Sequence, residues 1–200
     1  DGAFYFGKYK RKFILIAVGR FHFYEGLSIE QVGLPIKLFK KLGANKVILT
    51  NSAGCLQSNW SLGDVMIVNG HYDFTFMNSS ENPPLVSGSK YYSDKLIKKV
   101  LKISPDLRVG NYGWVLGPMY ETKAEILNMK KHGVNSVGMS TVPEILMAHH
   151  IKMDILVLSL MSNYAIGLTD DDLNHQIVLN NSVKYNQNFQ LLLLSILSEI

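Results

Sequence analysis

Apolar, β-branched runs alternate along this chain with stretches of helical pattern, and five of the runs end in a short polar signature. The run at 13–16 leads into Ala17-Val18-Gly19-Arg20-Phe21-His22, and that at 47–49 into Thr50-Asn51-Ser52-Ala53-Gly54. The runs at 114–116, 135–137 and 155–161 lead into Gly117-Pro118-Met119-Tyr120-Glu121, Gly138-Met139-Ser140-Thr141 and Ser162-Asn163. Strands separated by helices favour a mainly parallel central sheet flanked by helices, an α/β fold. In such sheets ligands bind beyond the carboxyl ends of the strands, so five such ends can line one crevice. They deliver Arg, His, Ser, Glu and Asn, a set suited to an anion beside a polar heterocycle. Neither a redox centre nor a metal is required.

At 200 residues and 47% apolar, the chain suits a single domain spanning 1–200 with a sizeable core. The net charge of +4 is dispersed in small clusters at 10–12, 40–41, 98–99 and 130–131, which read as solvated surface and not as a nucleic-acid footprint. The lone Cys55 has no partner for an internal disulfide and favours a reducing, cytoplasmic compartment. The apolar run at 191–197 falls short of the roughly 18–20 residues of a membrane span, and predicts a helix facing the core or a subunit. No signal peptide is recognisable, and the opening Asp1 in place of Met reads as the start of a fragment.

The pattern predicts a hairpin through 3–6 and 13–18, with turn material at 7–10, and then a helix over 29–42. Ser28 and Gln31 form a capping box at its start, and Gly43 ends it. Strands follow at 46–50 and 64–68. Residues 70–92, with Tyr72, Phe74, Phe76, Tyr91 and Tyr92 among Asn, Ser, Pro and Gly, read as a long functional loop. Then come a helix at 94–102, a strand at 112–116 and a helix at 122–132 opened by Thr122 and Glu125. A strand at 135–137 precedes a helix opened by Thr141 and Glu144, with Pro143 in its first turn. A strand at 154–161 and a long helix from about 171 complete the chain.

Arg20 and His22 lie two apart at a strand end, where an extended backbone turns both side chains the same way. An Arg fork with an imidazole donor can clamp phosphate or carboxylate, although a surface Arg and a core His fit the same residues. Ser52 and Ser140 can add hydroxyl and backbone donors, or serve as turn residues. Glu121 can accept from a ligand or favour a helix N-terminus. Asn163 presents a donor and an acceptor on one planar amide, matching two neighbouring heteroatoms, and also suits a turn. His175 stands near the start of the last helix, where a surface role is equally open. The adjacent His149 and His150 lack metal-ligand spacing, and no metal site is expected. Phosphate loops and hydrolase elbows of recognisable pattern are also missing.

The order and spacing of five segments resemble the trimeric purine nucleoside phosphorylases, within the wider purine nucleoside and methylthioadenosine phosphorylase superfamily. They are Val18-Gly19-Arg20-Phe21-His22-Phe23-Tyr24-Glu25-Gly26, Thr50-Asn51-Ser52-Ala53-Gly54, Gly117-Pro118-Met119-Tyr120-Glu121-Thr122, Val137-Gly138-Met139-Ser140-Thr141-Val142-Pro143-Glu144, and Asn163 with His175 twelve positions on. The resemblance implies that Arg20, His22, Ser140 and the Ser52 backbone hold phosphate. It implies that Tyr24 touches the ribose, Tyr120 packs on the purine, and Val137 and Met139 line the nucleoside pocket. His175 would meet the ribose 5′-hydroxyl, while Glu121 and Asn163 grip the base edge. Asn163, Glu121 and His22 would then carry the catalysis, with inorganic phosphate as co-substrate and no cofactor. The implied assembly is a homotrimer, an expectation to which the aromatic content of 70–92 also contributes.

The expected activity is phosphorolysis of inosine, guanosine and their deoxy forms in purine salvage. A methylthioadenosine phosphorylase is the rival of the same fold, which Asn163 disfavours because that branch typically carries Asp there. A non-catalytic nucleoside-binding paralogue is the rival from another class. The sequence departs from the family pattern in several places. A Gly-rich phosphate loop with its Ser has no counterpart here and would lie upstream of Asp1. Cys55 replaces a usual Gly and Ser162 a common Thr. The 70–92 segment is short, and Tyr91 and Tyr92 are the candidates for an aromatic lent to a neighbouring subunit.

Overall fold

Strands β1 (Ala3–Tyr9) and β2 (Lys12–Val18) pair antiparallel in register from Ala3 opposite Val18 to Tyr9 opposite Lys12. The turn therefore falls at Lys10 and Arg11, later than the predicted 7–10, with Lys10 at φ 53°. The computed structural model describes residues 2–77, 83, 85–168 and 175–200. Among these, the hairpin forms a two-stranded sheet of its own.

The other strands are β3 (Lys46–Cys55), β4 (Val65–Asp73), β5 (Leu85–Ser87), β6 (Arg108–Trp114), β7 (Val134–Gly138) and β8 (Asp154–Tyr164). They lie in the order β5-β4-β6-β7-β3-β8, and β8 also pairs with β4, which closes the last five onto themselves. Parallel pairing links β3 with β8, β4 with β6 and β6 with β7. Antiparallel pairing links β3 with β7, β4 with β8 and β4 with β5. The long pairings are parallel, as the strand–helix alternation predicted, and the short antiparallel contacts make the sheet mixed. Alternation identifies helical connections, but it does not see where strands meet at a closing corner.

The helices are α1 (Ile29–Val32), α2 (Leu34–Lys41), α3 (Asp94–Ile103), α4 (Lys123–Lys131), α5 (Val142–His150) and α6 (His175–Glu199). The Ser28–Gln31 capping box forms with both of its bonds. The predicted 29–42 helix nevertheless breaks after Val32, because Pro35 has no N–H with which to continue the ladder. The Thr122–Glu125 box also forms and opens α4.

Period-two alternation sorts the strands onto two faces. Met66, Val68, Ile155 and Val157 pack with Ile36 and Phe39 of α2 and with Ile145 and Ala148 of α5. Val65, Ile67, Leu156 and Leu158 pack with Leu96 and Val100 of α3 and with Phe189 and Ile196 of α6. Ile126 and Met129 of α4 cover a third cluster with Val134, Val137, Tyr72 and Phe74. Of the apolar run in α6, Ile196 is buried, whereas Leu191 and Leu194 face outward.

The predicted loop over 70–92 is largely replaced by structure. β4 continues to Asp73, β5 pairs with it, and a 3-10 turn spans Gly88–Lys90. Tyr72, Phe74 and Tyr92 are buried. Tyr92 bonds His71 at 2.7 Å, and Tyr91 stacks on His149 at 4.1 Å. Tyr92 is thus enclosed within its own chain, while Phe76 of the same segment is exposed. The other large exposed aromatics lie mainly in the hairpin, at Phe4, Tyr5, Phe6 and Phe13.

Candidate active site

β3 ends beside two other strands at once. Gly54 pairs with Val137 of β7 and, across a register shift after Ala53, with Asn163 of β8. A Cβ on Gly54 would stand 3.3 Å from both the Asn163 amide nitrogen and the Val137 side chain, so any larger residue would push one of them away. Because β3 and β7 run antiparallel and overlap only at their last residues, their carboxyl ends cross here. This crossing gathers the polar signatures.

Asn163 is 6% exposed and held at both ends of its amide. Ser162 Oγ donates to its Oδ1 at 2.9 Å, and its Nδ2 donates to the Tyr164 carbonyl at 3.1 Å. One N–H and one oxygen lone pair remain for a ligand, and the amide cannot flip without breaking both bonds. The Ser162 hydroxyl does the orienting that a Thr would do.

From Val137 the backbone runs through Gly138 and Met139 to Ser140, at the start of α5. Ser140 and Thr141 do not make the predicted capping box with Glu144, because the Thr141 side chain accepts no cap bond. Thr141 instead lies at φ 74°, ψ −43°, and the Val142 N–H donates to the Ser140 carbonyl at 2.8 Å. This is a γ-turn at positive φ, a strained geometry for a β-branched residue and of a kind that clusters at active sites. Its neighbours hold it in place. Asn51 Nδ2 donates to Thr141 Oγ1 at 2.9 Å, the Thr141 and Ser140 hydroxyls bond at 3.0 Å, and Tyr112 Oη donates to the Ser140 carbonyl at 3.3 Å. Asn51 Oδ1 is buried with no partner among the described residues.

Arg20 and His22 lie just past the end of β2, as predicted, in the segment before a 3-10 turn at Phe23–Glu25. Arg20 Nε donates to Glu144 Oε2 at 2.7 Å and Nη1 to the Thr50 carbonyl at 2.8 Å. Burial pushes the Glu144 carboxyl up, and the Arg20 guanidinium, the nearby His22 and the Thr141 backbone N–H pull it back. His22 Nδ1 pairs with Glu25 at 2.9 Å, and its ring stacks on Tyr24 at 4.8 Å.

Gly117 brings Tyr24 and Met139 together. At φ 73°, with Met139 Sδ 2.6 Å and Tyr24 2.9 Å from where a Cβ would sit, only glycine fits. Glu121 is buried, and desolvation raises its carboxyl above the ordinary range, partly offset by its own backbone N–H. It lies close enough to Tyr112 to act on that phenol, as Arg20 and Ser140 do. Tyr112 thereby connects the Glu121 side of the crevice to the Ser140 side.

Ser52 turns its hydroxyl away from the other signatures. Its hydroxyl bonds Ser182 of α6 at 3.0 Å, away from Ser140, because consecutive residues of a strand face opposite sides and Asn51 takes the inward position. Only its backbone stays available to the site. Val137 is buried and packs mainly with the cluster under α4. His175 is the first residue of α6, and its side chain lies outside what is described. Sequence reasoning missed Asn51, Tyr112 and the Arg20 contact of Glu144. Asn51 carried a signal, as the residue of the Thr50-Asn51-Ser52 signature that alternation with Val47 and Leu49 turns inward.

Among the described residues, no three His, Cys, Asp or Glu side chains gather as a metal site would need, and no helix is long and apolar enough to cross a membrane.

A family model described as the phosphorylase superfamily matches residues 1–198. Purine nucleoside phosphorylase 1 of Bacillus subtilis is 36% identical over 197 residues, covering 93% of this chain and 73% of the relative. Purine nucleoside phosphorylase of Mycobacterium tuberculosis is 34% identical, covering 83% of this chain and 62% of the relative. Among solved structures, purine nucleoside phosphorylase of Schistosoma mansoni in complex with inosine superposes with a TM-score of 0.89 at 28% identity, over 100% of this chain and 77% of the other. Isoform 2 from the same organism, in complex with cytosine and ribose-1-phosphate, superposes with a TM-score of 0.86 at 30% identity, over 98% and 75%. With a strand crossing that collects an arginine, a strained serine turn, a buried carboxylate and a fixed amide, and with relatives of this similarity along nearly its whole length, the chain belongs to the phosphorylase superfamily, among the purine nucleoside phosphorylases.

Proposed function

We propose that this chain cleaves purine nucleosides with inorganic phosphate, releasing the free base and ribose 1-phosphate in purine salvage. The observation that carries this reading is the strand junction at Gly54, where Asn163 of β8, its amide held by two bonds, meets Val137 of β7, three residues before Ser140. Arg20, tied to Glu144 in the first turn of α5 and to the Thr50 carbonyl of β3, supports an anion site beside Ser140.

A phosphate oxygen attacks C1′ of the ribose as the C1′–N9 bond breaks, and the bond's electron pair leaves with the purine. The transition state places positive charge on the sugar and negative charge on the base. Phosphate held by Arg20, His22, Ser140 and the Ser52 backbone faces the sugar. The remaining Asn163 N–H meets purine N7 and strengthens its bond as charge builds there. Glu121 accepts from the opposite edge of a 6-oxopurine, a task suited to a buried carboxylate in want of a donor. Tyr24 and Met139, brought together at Gly117, contact the ribose, Tyr120 packs on the base, and Val137 closes the pocket behind it. His175 is assigned the ribose 5′-hydroxyl on resemblance alone. No step calls for a cofactor.

The same resemblance supports a homotrimer, which sedimentation tests. The lone Cys55 fits a cytoplasmic setting. The deciding assay is phosphate-dependent turnover of inosine beside methylthioadenosine. Release of hypoxanthine that requires phosphate and outpaces methylthioadenosine cleavage supports the reading. Faster methylthioadenosine cleavage transfers the chain to the rival branch, and nucleoside binding without turnover favours the non-catalytic paralogue.

A further inference from the structure

Arg20 and Ser140 come from segments 120 residues apart, and one buried side chain, in the helix that Ser140 precedes, holds Arg20. Glu144 accepts from Arg20 Nε at 2.7 Å, and it stands in the first turn of α5, which is capped by Thr141, the centre of the strained turn that carries Ser140. The carboxylate is almost fully enclosed, so few other partners compete for it. With Nε on Glu144 and Nη1 on the Thr50 carbonyl, the guanidinium cannot rotate, and Nη2 is left for an incoming anion.

The other half of the cradle is oriented too. Asn51 donates to Thr141 Oγ1, so that oxygen serves as acceptor and its own proton is free to go to Ser140 Oγ. With the Thr141 proton directed to Ser140 Oγ, the Ser140 hydroxyl keeps its own proton to donate to a ligand. Both groups that meet the anion are thereby set before it arrives, and this lowers the ordering cost of binding.

We propose that Glu144 is a positioning residue for phosphate, joining the Arg20 fork to the Ser140 turn so that their donors converge. The proposal rests on the phosphate-site reading given above. It has an unusual sign. A carboxylate beside an anion site repels the anion, so a purely electrostatic account expects tighter phosphate binding once the charge is removed. Positioning expects weaker binding.

The test is the dissociation constant of inorganic phosphate by titration calorimetry, with hypoxanthine as a second ligand, for wild type, Arg20→Ala, Glu144→Gln and the double variant. Glu144→Gln is expected to weaken phosphate about tenfold, the order of losing one charge-assisted hydrogen bond, while hypoxanthine changes less than twofold. The loss in the double variant should fall well short of the sum of the two single losses, because Glu144 acts largely through Arg20, with only its hold on the Ser140 turn left to lose once Arg20 is gone. Unchanged or tighter phosphate in Glu144→Gln, or losses that simply add, overturn the proposal. If Arg20→Ala itself binds phosphate as wild type does, the phosphate-site reading falls and the positioning role falls with it. Should Glu144→Gln not fold, Glu144→Asp keeps the charge but withdraws it by one methylene. Weaker phosphate supports positioning there as well, and wild-type affinity rejects it.

Discussion

The amide of Asn51 donates to the hydroxyl of Thr141 across 90 residues of sequence, tying the open end of β3 to the turn that starts α5. Thr141→Val keeps the shape and removes that acceptor. The buried amide would then lack a partner for its nitrogen as well as for its oxygen, and the variant is expected to lose about 1–3 kcal/mol of stability. Denaturant unfolding measures this, and a loss under 0.5 kcal/mol would show that the bond is dispensable.

Arg20→Ala is expected to raise the phosphate requirement by about one to two orders of magnitude, on the scale of roughly 1.5–3 kcal/mol for a charge-assisted bond. The nucleoside KM should move much less. Initial rates over a phosphate series separate the two, and unchanged phosphate dependence would remove Arg20 from the site.

Asn163→Asp should shift preference from inosine toward adenosine, since a carboxylate repels a 6-oxo oxygen and accepts from a 6-amino group. The Ser162 hydroxyl can still donate to the new side chain, but the Tyr164 carbonyl would face a charge in place of an N–H donor. A drop in melting temperature is therefore expected beside the change in base choice. The ratio of kcat/KM on the two nucleosides is the readout, and a constant ratio would make Asn163 a structural residue.

His71 gives the molecule an acid limit. Burial lowers its pKa to about 4 from an ordinary 6.5, only weakly opposed by Asp73. The unfolded chain therefore takes up this proton at a higher pH than the folded one. Stability is full above about pH 6.5 and falls as the pH drops toward 4, by about 3 kcal/mol for the whole interval. His71→Asn, which can keep a bond to Tyr92, should flatten the melting profile between pH 7 and pH 4.5. An equally steep profile in the variant would assign the acid sensitivity elsewhere.

Gly117→Ala should lower stability by about 1–2 kcal/mol from its backbone conformation alone, and should weaken nucleoside binding by displacing Met139 and Tyr24. Wild-type nucleoside KM in a folded variant would separate this turn from the pocket.

What could be read from the sequence was whatever residues decide locally. The Ser28–Gln31 and Thr122–Glu125 caps formed because each joins residues three apart. The same pattern misled at Thr141 and Glu144, since Arg20, 124 residues away, competes for the carboxylate and the turn adopts a conformation no local rule favours. Residues 70–92 read as a loop because Gly70, His71 and Tyr72 do not look like an apolar strand. They pair because β6 and β5 flank them and Tyr92 satisfies the buried imidazole. The anion-binding candidates were recognisable by type and by resemblance. The side chains that orient them were not, because each is defined by a partner in a distant segment.

The closing contact between β4 and β8 runs only from Val65 opposite Leu160 to Ile67 opposite Leu158, and both strands extend well beyond it. Amide protons at this seam sit between two ladders and can meet solvent deuterium only when the whole sheet opens. Those at the far end of β8, near Asn163, need only the crevice to breathe. A single strand should therefore carry two clocks, with exchange governed by global unfolding at Leu158 and by local opening at Tyr164, and a ligand seated in the crevice should slow the first only by its binding free energy while it blocks the opening behind the second.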